Sequence, residues 1–231
     1  DLAFLNDVSC VPLQQSLRHL QTAFVNFFAK RSAYPIFKKK WRTRDRAEYT
    51  RSAFRFDPAT QRLTLAKLGG LRLRLSRRVD VKPTTVTVTR HPSGRYYVSM
   101  VLEVEPPMTT RTKTGQTVGI DFGVAHLATL SNGEHIANPK PLFQRRTLLA
   151  HAQRQLWRRQ RGSGRYRAQT RRVARLHEQI ADARRDALHK LSTLLVRRFD
   201  AIYVEDLHLR GMTQNPSLAR SLSDASIGTA I

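Results

Sequence analysis

Two carboxylates stand out by their surroundings. Asp121 sits near the end of the apolar run TVGIDFG (117–123), and Glu205 follows the mostly apolar AIYV (201–204). An isolated buried carboxylate is expensive, and two brought together repel. At the same ends of neighbouring strands, about 5 Å apart, they would point into one cleft. Two divalent cations roughly 3.5 to 4 Å apart resolve both problems and suit phosphodiester cleavage: one activates water, the other stabilises the leaving oxygen. Oxygen-only ligands favour Mg2+ or Mn2+. Asp121 and Glu205 are therefore the candidate catalytic residues and the candidate metal ligands. Taken singly, each has a plainer reading. Asp121 is also a turn residue ahead of Gly123, and Glu205 a helix-cap or surface acid, with Asp206 competing for its role. His126 and His135 flank the acid strand, but nine residues apart in adjacent strands they read as sheet-surface residues rather than ligands.

The remaining composition says what such a cleft would act on. The 231 residues carry 41 Lys and Arg against 17 Asp and Glu, a formal charge of +24. Self-repulsion on that scale calls for a polyanionic partner, and nucleic acid supplies sequence-independent, salt-sensitive affinity through its phosphates. A 40% apolar fraction is enough for a packed core and excludes a disordered basic tail. No apolar run approaches the roughly 20 residues of a spanning helix, and no signal peptide is visible. Cys10 is the only cysteine, which excludes an internal disulfide and a cysteine-based zinc site. It reads as a small buried apolar residue at a helix start.

Several elements must position the acids. Leu13, Leu17, Leu20, Phe24 and Phe27 recur at helical spacing, with Pro12 in the first turn, and predict a helix with these residues on one face. Residues 31–51 read as a loop that interleaves Tyr34, Phe37, Trp41 and Tyr49 with lysines and arginines. Those aromatics either stack on unpaired bases or anchor the loop on the core. Lys38, Lys39, Lys40, Trp41 and Arg42 are its candidate nucleic-acid contacts. From 52 to 105 the period is two: FRFDPATQRLTL is strand, turn, strand; LRLRLS alternates strictly; and 84–105 is a hairpin turning at His91–Gly94. A small antiparallel barrel or sandwich is expected, with Arg72 and Arg74 on its outer face. A linker at 105–116 marks a domain boundary. Three strands follow at 117–122, 125–131 and 134–138, with Asn132-Gly133 as a hairpin turn. Next come two helices with apolar faces Leu142, Leu149, Ala152, Leu156 and Val173, Leu176, Ile180, Ala183, Ala187, Leu191, Leu194, separated by RGSGR. Residues 140–200 hold 17 Lys and Arg against four acids. Arg165, Arg167, Arg171, Arg172 and Arg175 are the expected backbone-contacting part. The strand 201–206 completes a β-β-β-α-α-β order.

That order fits a ribonuclease-H-like sheet, in which the fourth strand lies parallel to the first. The stretches VGIDFGVAHLATLSNG, RGSGRYRAQTRRVARLHEQIADARRDALHKLSTLLVRRFD, IYVEDLHLRGM and SLARSLSDAS agree in order and spacing with one family. With SLRHLQTAFVNFFAK and YPIFKKK upstream, the chain resembles the TnpB/OrfB proteins encoded by insertion sequences, relatives of type V CRISPR effector nucleases. The resemblance implies an RNA-guided DNA endonuclease with a RuvC-like domain (116–231), in which Asp121 and Glu205 are the first and second catalytic carboxylates. It also implies a wedge-type β-barrel (52–110), and a first helix and loop (1–51) from the end of a helical recognition lobe. The expected partners are guide RNA and DNA, bound by a monomer or a dimer in the cytoplasm, near the nucleoid and without a membrane.

Two departures shape the expectation. Ile227 stands where the family carries an aromatic after SDA-x, and the chain stops four residues later. The family's zinc segment, its third catalytic Asp and most of the recognition lobe are absent from these residues. The expectation is a fragment or decayed copy that binds RNA and DNA salt-dependently without cutting. A non-catalytic module acting by occupancy is the rival reading. An actin-like ATPase is a lesser one, since its first phosphate loop also reads strand-Asp-x-Gly. A transposase that joins DNA ends is conceivable from the fold alone.

Overall fold

The computed structural model describes residues 3–37, 45–105, 113–207, 209–212, 214–226 and 228. The chain divides into two units, Asp1–Met108 and Thr109–Ile231. Both mix helices with sheets.

The first unit opens with α1 (Cys10–Phe28), whose N-terminus is capped by Ser9: the hydroxyl accepts from Val11 N at 3.4 Å. Cys10, expected to be buried, is exposed. β1 (Asp45–Thr50) pairs antiparallel with β5 (Thr85–Arg90), which pairs with β6 (Tyr96–Val101). A second sheet joins β2 (Phe54–Asp57), β3 (Arg62–Leu65) and β4 (Gly69–Leu71) in antiparallel order. The shared core holds Tyr49, Phe56, Leu63, Leu65, Val79 and Val86. Among the described residues the strands form two three-stranded sheets, and the expected barrel is not closed.

Three sequence expectations change here. The 31–51 segment is not all loop, because Asp45–Thr50 is a strand and buries Tyr49 in the core. Tyr49 is therefore no stacking residue, and burial raises its phenol pKa. Tyr34 instead meets Phe24 and Phe27 edge-on, and Phe37 is exposed. Second, α1 turns Val11, Gln15 and His19 toward the sheet: Val11 packs on its core, Gln15 is buried, and His19 meets Glu48 at 3.3 Å. At 3.6 residues per turn the leucines lie on the opposite side, and Leu17 is 68% exposed. Third, LRLRLS pairs only as far as Leu71. In this register Leu73 would face Gln61, which is in the β2–β3 turn with φ 54°, so the ladder cannot run the length of the motif. The Gln61 amide instead bonds both Val79 N (2.9 Å) and Val79 O (2.7 Å). The alternation still decides burial: Leu71, Leu73 and Leu75 pack on the core, while Arg72 and Arg74 are exposed.

The second unit is built on a four-stranded sheet in the order β10-β7-β8-β9. β7 (Thr117–Phe122), β8 (His126–Leu130) and β9 (His135–Ala137) form an antiparallel meander, and β10 (Ala201–Val204) returns parallel to β7. Gly133, with φ 86°, turns the β8–β9 hairpin where a side chain would be strained. Between β9 and β10 run α2 (Pro141–Trp157) and α3 (Gly164–Arg198). α3 is about 52 Å long at 1.5 Å per residue. Its first half packs on α2, where Gln169 Nε2 donates to Ala152 O at 2.9 Å. Its last turns bring Leu191 and Leu195 onto the sheet. Leu194, expected to be buried, is 37% exposed, because a stripe read at threes and fours drifts around so long a helix. The short α4 (Leu209–Met212) and α5 (Pro216–Ala225) follow. Leu222 and Ala225 of α5 join the sheet core with Val118, Ile120 and Phe122.

Candidate metal and nucleic-acid site

The parallel pair β7–β10 is pinned at its start. Asp200 Oδ2 accepts from Gly115 N at 2.7 Å, and Asp200 N donates to Gln116 O at 2.8 Å. The register then runs Ala201–Thr117, Ile202–Val118, Tyr203–Gly119 and Val204–Ile120. One residue beyond the last pair stand Glu205 and Asp121. The two carboxylates thus leave adjacent strands at the same end, where strands are about 4.8 Å apart.

Strand alternation decides which way they face. Val118, Ile120 and Phe122 are buried against α3 and α5, so Asp121 belongs to the other face of the sheet. Tyr203 and Glu205 share that parity on β10. Asp121 and Glu205 are exposed, as is Tyr203. Asp206 falls on the opposite parity, which favours Glu205 as the partner of Asp121. A cleft of about 480 Å³ beside Phe122, Arg184, Leu188 and His189 belongs to the core face, and neither acid lines it.

The charge around the acids is unusual for so basic a chain. Several acids elsewhere in the unit are neutralised: Asp224 by Arg184 at 3.1 Å, Glu134 by Arg198 at 2.6 Å, and Asp186 by Lys190 at 2.6 Å. Among the described residues neither the Asp121 nor the Glu205 carboxylate makes a hydrogen bond or ion pair. Nor do three or more His, Cys, Asp or Glu side chains gather there as a metal cluster. The donor set is two carboxylates. Mg2+ is commonly held by one or two carboxylates plus waters and substrate phosphates, so the pair fits a hard cation that shares its shell with a bound strand.

The loop after Asp121 is held tightly. A Cβ on Gly123 would lie 3.2 Å from His126 O, so a side chain there needs that carbonyl to shift by a few tenths of an ångström. Asn138 Nδ2 donates to Val124 O at 2.9 Å while its Oδ1 accepts from Lys140 N at 3.0 Å, tying that turn to the start of α2. The helix has no side-chain cap of its own at Lys140. Asp224 of α5 caps it instead, accepting from Leu142 N at 2.9 Å and Phe143 N at 3.1 Å. Sequence reasoning passed over both residues. The Asn-Pro step before an apolar run is a recognisable helix-start signal, but nothing local marks Asp224 as a cap for a helix some 80 residues earlier.

The basic candidates divide by position. Arg165, Arg167, Arg171, Arg172 and Arg175 are all exposed on the first half of α3. Arg167 also donates to Gly162 O at 3.1 Å and so closes the turn ahead of its own helix. Arg72 and Arg74 are exposed in the first unit. Lys38, Lys39, Lys40, Trp41 and Arg42 lie outside the described residues.

Residues 99–216 match the family model OrfB_IS605, described as "Probable transposase". The chain belongs to this family. Family relatives include a Streptomyces pristinaespiralis protein named "Putative RNA-guided DNA endonuclease", 50% identical over 98% of this chain and 56% of its own length. InsQ of Escherichia coli K12, given the same description, is 39% identical over 92% of this chain and 52% of its own length. A Mycobacterium tuberculosis H37Rv protein, again so named, is 34% identical over 84% of this chain and 46% of its own length. The chain thus spans about half the length of the curated relatives it matches. The matched segment contains both strands that carry the acids.

Proposed function

We propose that this chain carries the metal-binding part of an RNA-guided DNA endonuclease, with Asp121 and Glu205 as its cation ligands. The observation that carries the proposal is the unpartnered carboxylate pair at the same end of two parallel strands, on the uncovered face of a strongly basic unit. We read the β-β-β-α-α-β unit as a ribonuclease-H-like, RuvC-like domain and the first unit as a wedge-type domain. Mg2+ or Mn2+ held there would supply charge stabilisation and a lowered pKa for bound water. The chain's own part is to fix the carboxylates. Asp200 sets the register that brings them level, Gly123 and Asn138 hold the turn behind Asp121, and the core under Phe122 keeps β7 from twisting away. The arginines of α3 and the first unit would hold guide RNA and DNA through their phosphates.

The test is Mn2+ titration of the 231-residue chain followed by electron paramagnetic resonance. Asp121→Asn and Glu205→Gln are each expected to abolish a bound equivalent of Mn2+. Unchanged binding in both variants would sink the assignment. A second reading, a strand-binding module acting by occupancy, is favoured by the set of two ligands found among the described residues. It predicts intact, salt-sensitive RNA binding with no Mn2+ bound by the wild-type chain.

A further inference from the structure

The uncovered face of the sheet carries more than the acids. Asp121 is opposite Thr129 in the β7–β8 ladder, and Thr129 is opposite His135 in the β8–β9 ladder. With Glu205 one step past Val204, a single row crosses all four strands: Glu205, Asp121, Thr129, His135. His126 joins it from β8, because the ladder shifts between His126 and Ala128. That shift lets Leu127 and Ala128, though consecutive, both be buried in the core, and leaves His126 on the open face. The imidazoles of His126 and His135 stack with centroids 4.5 Å apart and planes inclined by 24°. Both residues are exposed. Thr129 Oγ1 lies 3.3 Å from His135 Nδ1 and holds that ring in place.

We infer that the His126–His135 stack is a base-stacking subsite for the strand whose phosphate would be held by a cation bound at Asp121 and Glu205. This rests on the nucleic-acid reading above. Two strand spacings put His135 about 10 Å from Asp121. That is about three steps of a B-form strand, which rises about 3.4 Å per nucleotide, and fewer of an extended one. A flat ring already locked by a neighbour and a hydroxyl loses little freedom when a base lands on it. Chelation of a transition metal is the competing use of two histidines. The geometry disfavours it: stacked rings present faces rather than converging lone pairs, His135 Nδ1 is engaged, and no third ligand completes a cluster among the described residues.

The experiment uses single-stranded DNA and RNA oligonucleotides carrying 2-aminopurine, whose fluorescence is quenched by stacking. Affinity and quenching are measured on the 231-residue chain at several salt concentrations, with thermal melts as a folding control. His135→Ala is expected to lower affinity by about 5-fold or more, the lower end for one base on one ring. The salt slope should stay unchanged, since no phosphate charge is neutralised. His135→Phe should restore affinity and quenching, and whichever oligonucleotide responds identifies the strand. Three results overturn the inference: Phe behaving like Ala, a weaker affinity accompanied by a shallower salt slope, or Zn2+ binding abolished in His135→Ala with oligonucleotide affinity intact. If stacking fails while Mn2+ binding at Asp121 and Glu205 persists, only the subsite falls. If stacking persists without Mn2+ binding, the catalytic reading falls alone.

Discussion

Replacing Asp224 with alanine removes a helix cap and an ion pair at once. Its carboxylate caps α2 at Leu142 N and Phe143 N and pairs with Arg184 of α3 at 3.1 Å. Losing a helix cap costs about 1 kcal/mol. Breaking a buried ion pair by deleting one partner costs about 3–5 kcal/mol when the other charge stays buried. Here the Arg184 side chain is 24% exposed against 8% for Asp224, so the guanidinium can regain water. The ion-pair loss therefore falls below that range, to about 2 kcal/mol, and with the cap the expected total is about 3 kcal/mol. For a unit of this size that lowers Tm by about 10 °C. Asp224→Asn keeps an acceptor for the helix N–H groups and should lose about half as much. Arg184→Ala should be milder than Asp224→Ala, because Asp224 keeps its two backbone donors, and the double variant should be less than additive. Thermal unfolding gives the totals, and amide exchange at Leu142 and Phe143 reads the cap directly. A destabilisation below about 0.5 kcal/mol in Asp224→Ala, within the range of ordinary surface substitutions, would refute the reasoning. The consequence reaches the acids. Leu222 and Ala225 of the same helix pack in the core with Phe122, the neighbour of Asp121, so amides of β7 should exchange faster in the same variant.

Gly123→Ala forces a Cβ to within 3.2 Å of His126 O and should destabilise the second unit by about 1 kcal/mol, measured by urea unfolding. Asn138→Ala leaves Val124 O and Lys140 N without that side chain, costs about 1 kcal/mol, and should speed amide exchange at 123–125. Replacing Arg165, Arg171 or Arg172 with alanine should lower the salt slope of RNA binding by about one for each phosphate the arginine neutralises. Burial raises the Tyr49 pKa above 10.0, so its unfolded form ionises first. That contribution to stability is complete below about pH 10 and declines as the pH rises toward the folded pKa, which unfolding at alkaline pH will show.

Much of the site's framework could be read locally. An apolar run ending in an acid, then Gly, then alternation, reads as β7, the tight turn and β8. RGSGR reads as the break between α2 and α3, and Ser163, within it, caps α3 by accepting from Tyr166 N. The parallel return of β10 follows from the order of elements, since a helical crossover brings a strand back parallel. Other features were not legible. His126 and His135 read as sheet-surface residues in adjacent strands, and they are, but their stacking depends on a ladder irregularity between His126 and Ala128 that no residue spacing announces. Tyr49 read as part of a basic-aromatic loop, because its burial depends on pairing with Val86, 37 positions away.

Periodicity, turn residues and charge are properties of neighbours in the chain. They determined where most helices and strands form, which residues share a side, and how far positive charge exceeds negative. Which side is covered depends on what packs there, and only the tertiary structure decided that. It left the leucines of α1 exposed and Leu195 rather than Leu194 buried. It also set Asp121 and Glu205 level on an open face. A side chain's environment comes from groups distant in sequence, and a single carboxylate carries no mark of the partner that folding will bring beside it.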